Sequence, residues 1–278
     1  MRFVRNDDGR ELNRNRSVVM NKPGTEIKRW GIIVIQSLNP EDKKTGENLY
    51  NDILRYKEFS KKESFSYFYE VHSIQEFRSA INDIENSLID GDILTLQIET
   101  HGCDKGIGLS NGEILEWKEF YDLIRPINIK IGHLLFVIMA MCKSIAMLSA
   151  LNPTERAPYR VFVCTTRDVS SFEIERGFGA FYENYFNLLD ITVALKALQE
   201  EVKDESGYSP FQALTAENVF DETFSPNRNF SDLVENQLEH LNIPKTEITN
   251  SIMSDLIRQL LIDLHDKFYD YYNFKDIY

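Results

Sequence analysis

Residues 92–102 read DILTLQIETHG, and residues 134–144 read LLFVIMAMCKS. Each is an apolar run of strand length that stops at a residue able to do chemistry, His101 in the first and Cys142 in the second. Leu134 to Met141 is apolar throughout, as in a strand covered on both faces of a parallel sheet, while Asp92 to Thr100 alternates in part. Working outward, Gly31 to Gln36 (GIIVIQ), Ser66 to Val71 (SYFYEV) and Tyr159 to Thr165 (YRVFVCT) also read as strands. Helical patterns separate them. Glu47 to Phe59 spaces Leu49, Ile53 and Leu54 at helical intervals. Ser73 with Glu76 forms a capping box ahead of Phe77, Ile81, Ile84 and Leu88. Trp117 to Ile124 reads as a helix, Cys142 opens another through Leu151, and a last one runs from about Gly179 to Glu201. Strands alternating with helices predict an α/β fold, a mostly parallel sheet flanked by helices. Gly106, Gly108 and Asn111-Gly112 predict a hairpin directly after His101-Gly102.

The ends of the chain differ from this core. Residues 1–28 are polar, with a Pro23-Gly24 turn, and read as an N-terminal arm; the core spans 29–201. In 202–278, Gly207, Pro210 and Pro226 interrupt the chain before two helices. The second carries Ile252, Leu256, Leu260, Leu264 and Phe268 about four residues apart, so this segment reads as a C-terminal helical extension. Its apolar band calls for packing on the core or on a partner. Charge is uneven: residues 1–30 hold eight basic and four acidic residues, whereas 201–278 hold six basic and fifteen acidic.

Composition narrows the function. Of 278 residues 42% are hydrophobic, enough for a large core, and the net charge of −13 argues against nucleic-acid binding, which needs an excess of Lys and Arg. Arg2, Arg5, Asp7, Asp8 and Arg10 break up any secretory signal. His133 and Lys143 leave nine uninterrupted apolar positions from Leu134 to Cys142, about half of the roughly 20 that a membrane span needs. Cys103, Cys142 and Cys164 make neither a disulfide framework nor a paired zinc spacing, so a reducing, cytoplasmic location is expected, with no metal and no cofactor.

Sites in open parallel sheets lie beyond the carboxyl ends of the strands, where His101 and Cys142 both fall. A thiol at a helix N-terminus meets backbone donors and the positive end of the helix dipole, and a nearby imidazole completes a nucleophile–base pair. Taken singly, either residue is ordinary, since a lone Cys is most often core and a lone His after a strand most often a surface group. The pairing at matched strand ends, with Gly102 beside it, favours catalysis. Cys164 reads as core, Cys103 as a partly buried small side chain, and Trp117 as packing. His72, His133, His240 and His265 have no ligand spacing.

The pattern resembles the caspase-like cysteine peptidases, the group of caspases, metacaspases and related stand-alone bacterial proteins. Their apolar strand ending in His-Gly is matched by LTLQIETHG, and the strand leading to the Cys by LLFVIMAMCKS. The separation of 41 residues is near the roughly 50 typical of caspases. GIGLSNGEILEWKEF (106–120) is similar to the connection after His-Gly in bacterial members, and Lys44-Thr45-Gly46 resembles the caspase Arg-Thr-Gly. Ser171-Phe172-Glu173 lines up with Ser-Trp-Arg, and Gly179 and Phe181 also fall in place. The likeness covers about residues 30–200. It departs where caspases have Gln two residues before the Cys, here Ala140, and where they have a long intersubunit linker, here seven residues between Leu151 and Tyr159.

The resemblance implies a cysteine endopeptidase acting on a protein or peptide substrate in a signalling or defence pathway. Cys142 is the implied nucleophile and His101 the acid–base. The backbone N–H groups of Gly102 and Cys142 form the oxyanion hole, and Lys44, Ala140, Ser171, Phe172 and Glu173 form the substrate pocket. Lys44, Glu173 and Ala140 sum to zero charge where caspases carry two Arg, so a strict demand for Asp before the cut is not expected. Lys44 and Glu173 either neutralise each other or leave Glu173 to select a basic residue. The C-terminal helices are a candidate docking surface for an activating partner. The rival reading is a catalytically silent caspase-like scaffold that binds partners; a thiol–disulfide enzyme would want a Cys-x-x-Cys pair, which the chain lacks.

Overall fold

In the computed structural model, residues 27–56, 63–188, 190–225, 234–235, 238–239, 241, 243–244 and 246–277 are described. The arm expected over 1–28 lies outside the described residues except for Ile27 and Lys28. β1 (Arg29–Ser37) is buried along nearly its whole length because it is flanked on both edges and covered on both faces. It leads through α1 (Thr45–Asp52) and a 3₁₀ turn (Leu54–Tyr56) to β2 (Glu63–Glu70), then through α2 (Ile74–Ser87) to β3 (Asp92–Cys103). The expected capping box starts α2, Ser73 Oγ accepting the Glu76 N–H. A small antiparallel unit follows, in which the tip of β3 pairs with β4 (Gly106–Gly108) and β4 with β5 (Ile114–Glu116). Next come α3 (Trp117–Lys130), β6 (Leu135–Ala140), a 3₁₀ segment (Ser144–Ala150) and β7 (Val161–Thr165). α4 (Ser171–Leu188), α5 (Ile191–Glu201), β8 (Phe211–Thr215), α6 (Ala216–Thr223), α7 (Glu247–Tyr272) and a 3₁₀ turn (Lys275–Ile277) follow.

The main sheet has the order β2-β1-β3-β6-β7-β8. β1 is parallel to β2 and β3, and the parallel ladder continues through β6 and β7; β8 closes it antiparallel to β7. Right-handed crossovers place α1 on one face and α2 and α3 on the other, because the chain steps one way from β1 to β2 and the opposite way thereafter. α1 packs with α4 and α4 with α5, whereas α2 packs with α3. The fold is therefore α/β, with a mostly parallel sheet flanked by helices and a C-terminal helix. The connections leaving β1 and β3 diverge to opposite faces, which opens a crevice beyond their carboxyl ends.

The structure departs from the sequence reading in three places. Cys142 does not open an α-helix: Lys143 takes a left-handed conformation (φ 52°) and only a 3₁₀ segment follows. Thr165 causes this local path, its Oγ1 donating to the Met141 carbonyl at 2.5 Å and its N–H to Ser144 Oγ at 2.8 Å. Helix α4 begins at Ser171 rather than Gly179, because Ser170 and Glu173 cap it reciprocally, and Asp190 restarts the chain as a separate α5 by capping Thr192 and Val193. The packed core also runs past residue 201. Phe211, Ala216, Phe220, Tyr272 and Phe274 all join the central cluster, and β8 supplies a sheet edge. In α7, Leu264 and Phe268 pack on the core, while Ile252, Leu256 and Leu260 remain exposed. No helix among the described residues is long and apolar enough to cross a membrane.

Candidate active site

The parallel register of β3 and β6 aligns Glu99 with Ala140, so the two strands run out together toward His101 and Cys142. Their main chains meet beyond that point. A Cβ built on Gly102 would lie 2.1 Å from the Cys142 carbonyl oxygen, closer than any side chain tolerates, so this position requires glycine. His101 itself is held by the antiparallel unit, pairing with Gly108.

The His101 and Cys142 side chains have different partners. The His101 ring is well exposed, and its Nε2 lies 2.8 Å from Asp42 Oδ2 and 3.4 Å from Asn39 Nδ2, both in the loop after β1. The Cys142 thiol turns toward the loop after β7: the Val169 N–H donates to Sγ at 3.4 Å, and Sγ donates to the Val169 carbonyl at 3.6 Å. Among the described residues, no hydrogen bond joins the His101 ring to Cys142 Sγ. The other cysteines are set apart. Burial pushes the Cys164 thiol up to about 12, leaving it an inert core group, and Cys103 donates to the Gly106 carbonyl at 3.4 Å.

One solved structure similar to this chain is that of the Drosophila initiator caspase Dronc. The likeness has a TM-score of 0.43 at 10% sequence identity, and covers 66% of this chain and 79% of that one. No protein-family model and no curated protein matches the chain.

The residues expected to form a substrate pocket have other partners. Lys44 and Glu173 do not neutralise each other. Lys44 Nζ donates to the carbonyls of Leu38 (2.8 Å) and Asn39 (3.0 Å) and lies 3.7 Å from Glu70, so its cation staples the loop after β1. Glu173 pairs with Arg167 at 2.7 Å and accepts the Ser170 N–H; burial raises its carboxyl, but Arg167 and the Ser170 bonds outweigh this and hold it below the usual range. Ala140 is buried, Ser171 is exposed at the start of α4, and Phe172 is exposed beneath the Arg176 guanidinium.

Behind the strand ends lies a feature that the sequence reading passed over. Glu99 is fully buried, accepting from Thr45 Oγ1 at 2.7 Å and Gln97 Nε2 at 2.5 Å, while the Tyr182 hydroxyl donates to Gln97 Oε1 at 2.6 Å. Burial pushes its carboxyl up to about 7, against the pull of those two hydrogen bonds. It borders a cavity of about 230 Å³ between α1 and α4, also lined by Thr45, Asn48, Asp52, Glu175 and Phe178. Neither His101 nor Cys142 lines that cavity. Asp42, Val169 and Thr165 were likewise missed, because each reaches the strand ends from a distant loop or strand. Ser170-x-x-Glu173 was a legible capping signal.

Proposed function

We propose that the chain is a caspase-like cysteine endopeptidase that cuts protein substrates through Cys142 and His101. The observation that carries this reading is the contact of the His101-Gly102 strand end with the Cys142 main chain, at the carboxyl edge of a parallel sheet and in a position only glycine fits. In the first step the Sγ proton passes to the His101 ring and the thiolate attacks the scissile carbonyl carbon. The Gly102 and Cys142 N–H groups hold the oxyanion. The imidazolium returns the proton to the leaving amine, whose C–N bond breaks. Water, deprotonated by His101, then hydrolyses the thioester, and the proton ends on the released thiolate.

For the thiol to meet the imidazole it must leave the Val169 main chain, so occupancy of the cleft or a partner acting on the loop after β7 is the proposed trigger. Asp before the cut is not required, since the Lys44 cation is engaged by two carbonyls and Glu70. A role in cytoplasmic signalling or defence belongs to the same proposal.

The test is cleavage of a randomised peptide library by wild type, Cys142→Ala and His101→Ala. Both variants should fold and both should be inactive, with losses that do not add. Near-normal turnover by either overturns the dyad. A second reading, a silent scaffold that binds partners, draws on the turning of the thiol toward Val169. Failure of a thiolate-selective probe to label Cys142 in the presence of every peptide tested favours it.

A further inference from the structure

We propose that Asp42 is a positioning residue for His101, setting its tautomer and orientation and so completing a Cys142–His101–Asp42 arrangement; this rests on the dyad reading above. Asp42 Oδ2 stands 2.8 Å from His101 Nε2. An ionised carboxylate can only accept hydrogen bonds, so the 2.8 Å contact puts the ring proton on Nε2, over the longer 3.4 Å contact with the Asn39 amide nitrogen, which would need a bare Nε2. The neutral ring then presents a bare lone pair at Nδ1. Nδ1 has no hydrogen-bond partner among the described residues, which leaves it free to receive the thiol proton. When it does, the S–H bond breaks, an Nδ1–H bond forms, and the imidazolium sits against the Asp42 carboxylate.

The loop is built to hold that carboxylate still. Oδ2 also accepts the Asn39 N–H at 2.9 Å, and the Asp42 N–H donates to the Asn39 carbonyl at 3.0 Å. Lys44 Nζ binds the carbonyls of Leu38 and Asn39, clamping the same turn. The Asp42 carboxyl sits below the usual range, with the His101 hydrogen bond as the largest cause, in keeping with an ionised acceptor. The placement follows from the topology. Connections leaving β1 and β3 split to opposite faces, and Asp42 from the connection after β1 meets His101 at the end of β3.

The experiment uses the full chain with ¹⁵N-labelled histidine, recording the His101 tautomer at a pH where the ring is neutral, in wild type, Asp42→Asn and Asp42→Ala. Wild type should show the Nε2–H form, and Asp42→Ala a mixture of the two tautomers. Asp42→Asn keeps an acceptor for the Asn39 N–H and so preserves the turn should the alanine variant misfold. With the peptide substrate, kcat should fall about 10- to 100-fold with KM within about two-fold, the scale for a group acting through another, and Asp42→Glu should recover part of the loss. An unchanged tautomer in Asp42→Ala, or a kcat within about two-fold of wild type in folded Asp42→Asn, overturns the proposal. Cys142→Ala and His101→Ala run in parallel. If they retain cleavage the dyad reading falls by itself, while the tautomer measurement still decides the Asp42 assignment.

Discussion

Replacing Glu99 by Gln should remove one component of the pH dependence of stability. The Glu99 carboxyl is fully buried and titrates at about 7, raised from 4.5. Its folded-state value lies above its unfolded one, so between those values the folded chain holds a proton that the unfolded chain has released. Stability therefore falls as pH rises from about 4.5 to about 7 and levels off above that. Over the whole window the loss is about 3 kcal/mol, at about 1.36 kcal/mol per pH unit. Gln at this position is neutral throughout. Its carbonyl can accept from Gln97 and its amide can donate to the Thr45 hydroxyl, which rotates to accept. Urea unfolding of both proteins at pH 5.5, 7 and 8 is the assay, and the difference between them cancels every other titrating group. The stability gap should widen in favour of Glu99→Gln by about 2 kcal/mol from pH 5.5 to 8, the part of the loss still to come above pH 5.5. A gap constant within about 0.5 kcal/mol would show that Glu99 is not desolvated, since such a carboxyl ionises without cost.

Gly102→Ala forces a Cβ against the Cys142 carbonyl oxygen and should cost about 1–3 kcal/mol in urea unfolding and abolish peptide cleavage; an active variant of wild-type stability would show that the strand ends are not in contact. Arg156→Ala removes a bidentate pair with Asp276, a bond to the Tyr271 carbonyl and cation–π contacts with Tyr271 and Phe274, and should destabilise the chain by about 2 kcal/mol. An unfolding midpoint equal to wild type would contradict the role of this Arg in anchoring the C-terminal end. The loop 152–158 is tied down by the Ala157 N–H on the Tyr272 carbonyl and by Asn152 bonding to Thr154 and Glu155. Limited proteolysis should accordingly leave it uncut, and a cut within 152–158 that switches on peptide cleavage would contradict that.

Much of the scaffold is legible in the residues themselves. β1, β3, β6 and β7 announce themselves because strands covered on both faces need apolar side chains in succession. His101 and Cys142 stand out because each ends such a run. α2 is legible from its capping box and periodicity. β8 is not: its five residues, FQALT, form an edge whose side chains after Phe211 are half-buried, so no apolar run marks it. The 3₁₀ path after Cys142 depends on Thr165, more than twenty residues downstream.

The charged loops divide the candidate site in the same way. Lys44 and Glu173 fall at positions that look like a substrate pocket, yet their charges go to the Leu38 and Asn39 carbonyls and to Arg167. Asp42 lies 59 residues from His101 amid other charges, with nothing local to single it out. The α/β alternation and the two strand ends that carry His101 and Cys142 can be read from the residues alone, because burial on both faces demands unbroken apolar runs in strands and burial on one face a period of 3.6 in helices. The partners of those two side chains emerge with the fold, because hydrogen bonds between loops form where crossovers bring remote residues together, and no local period records that meeting.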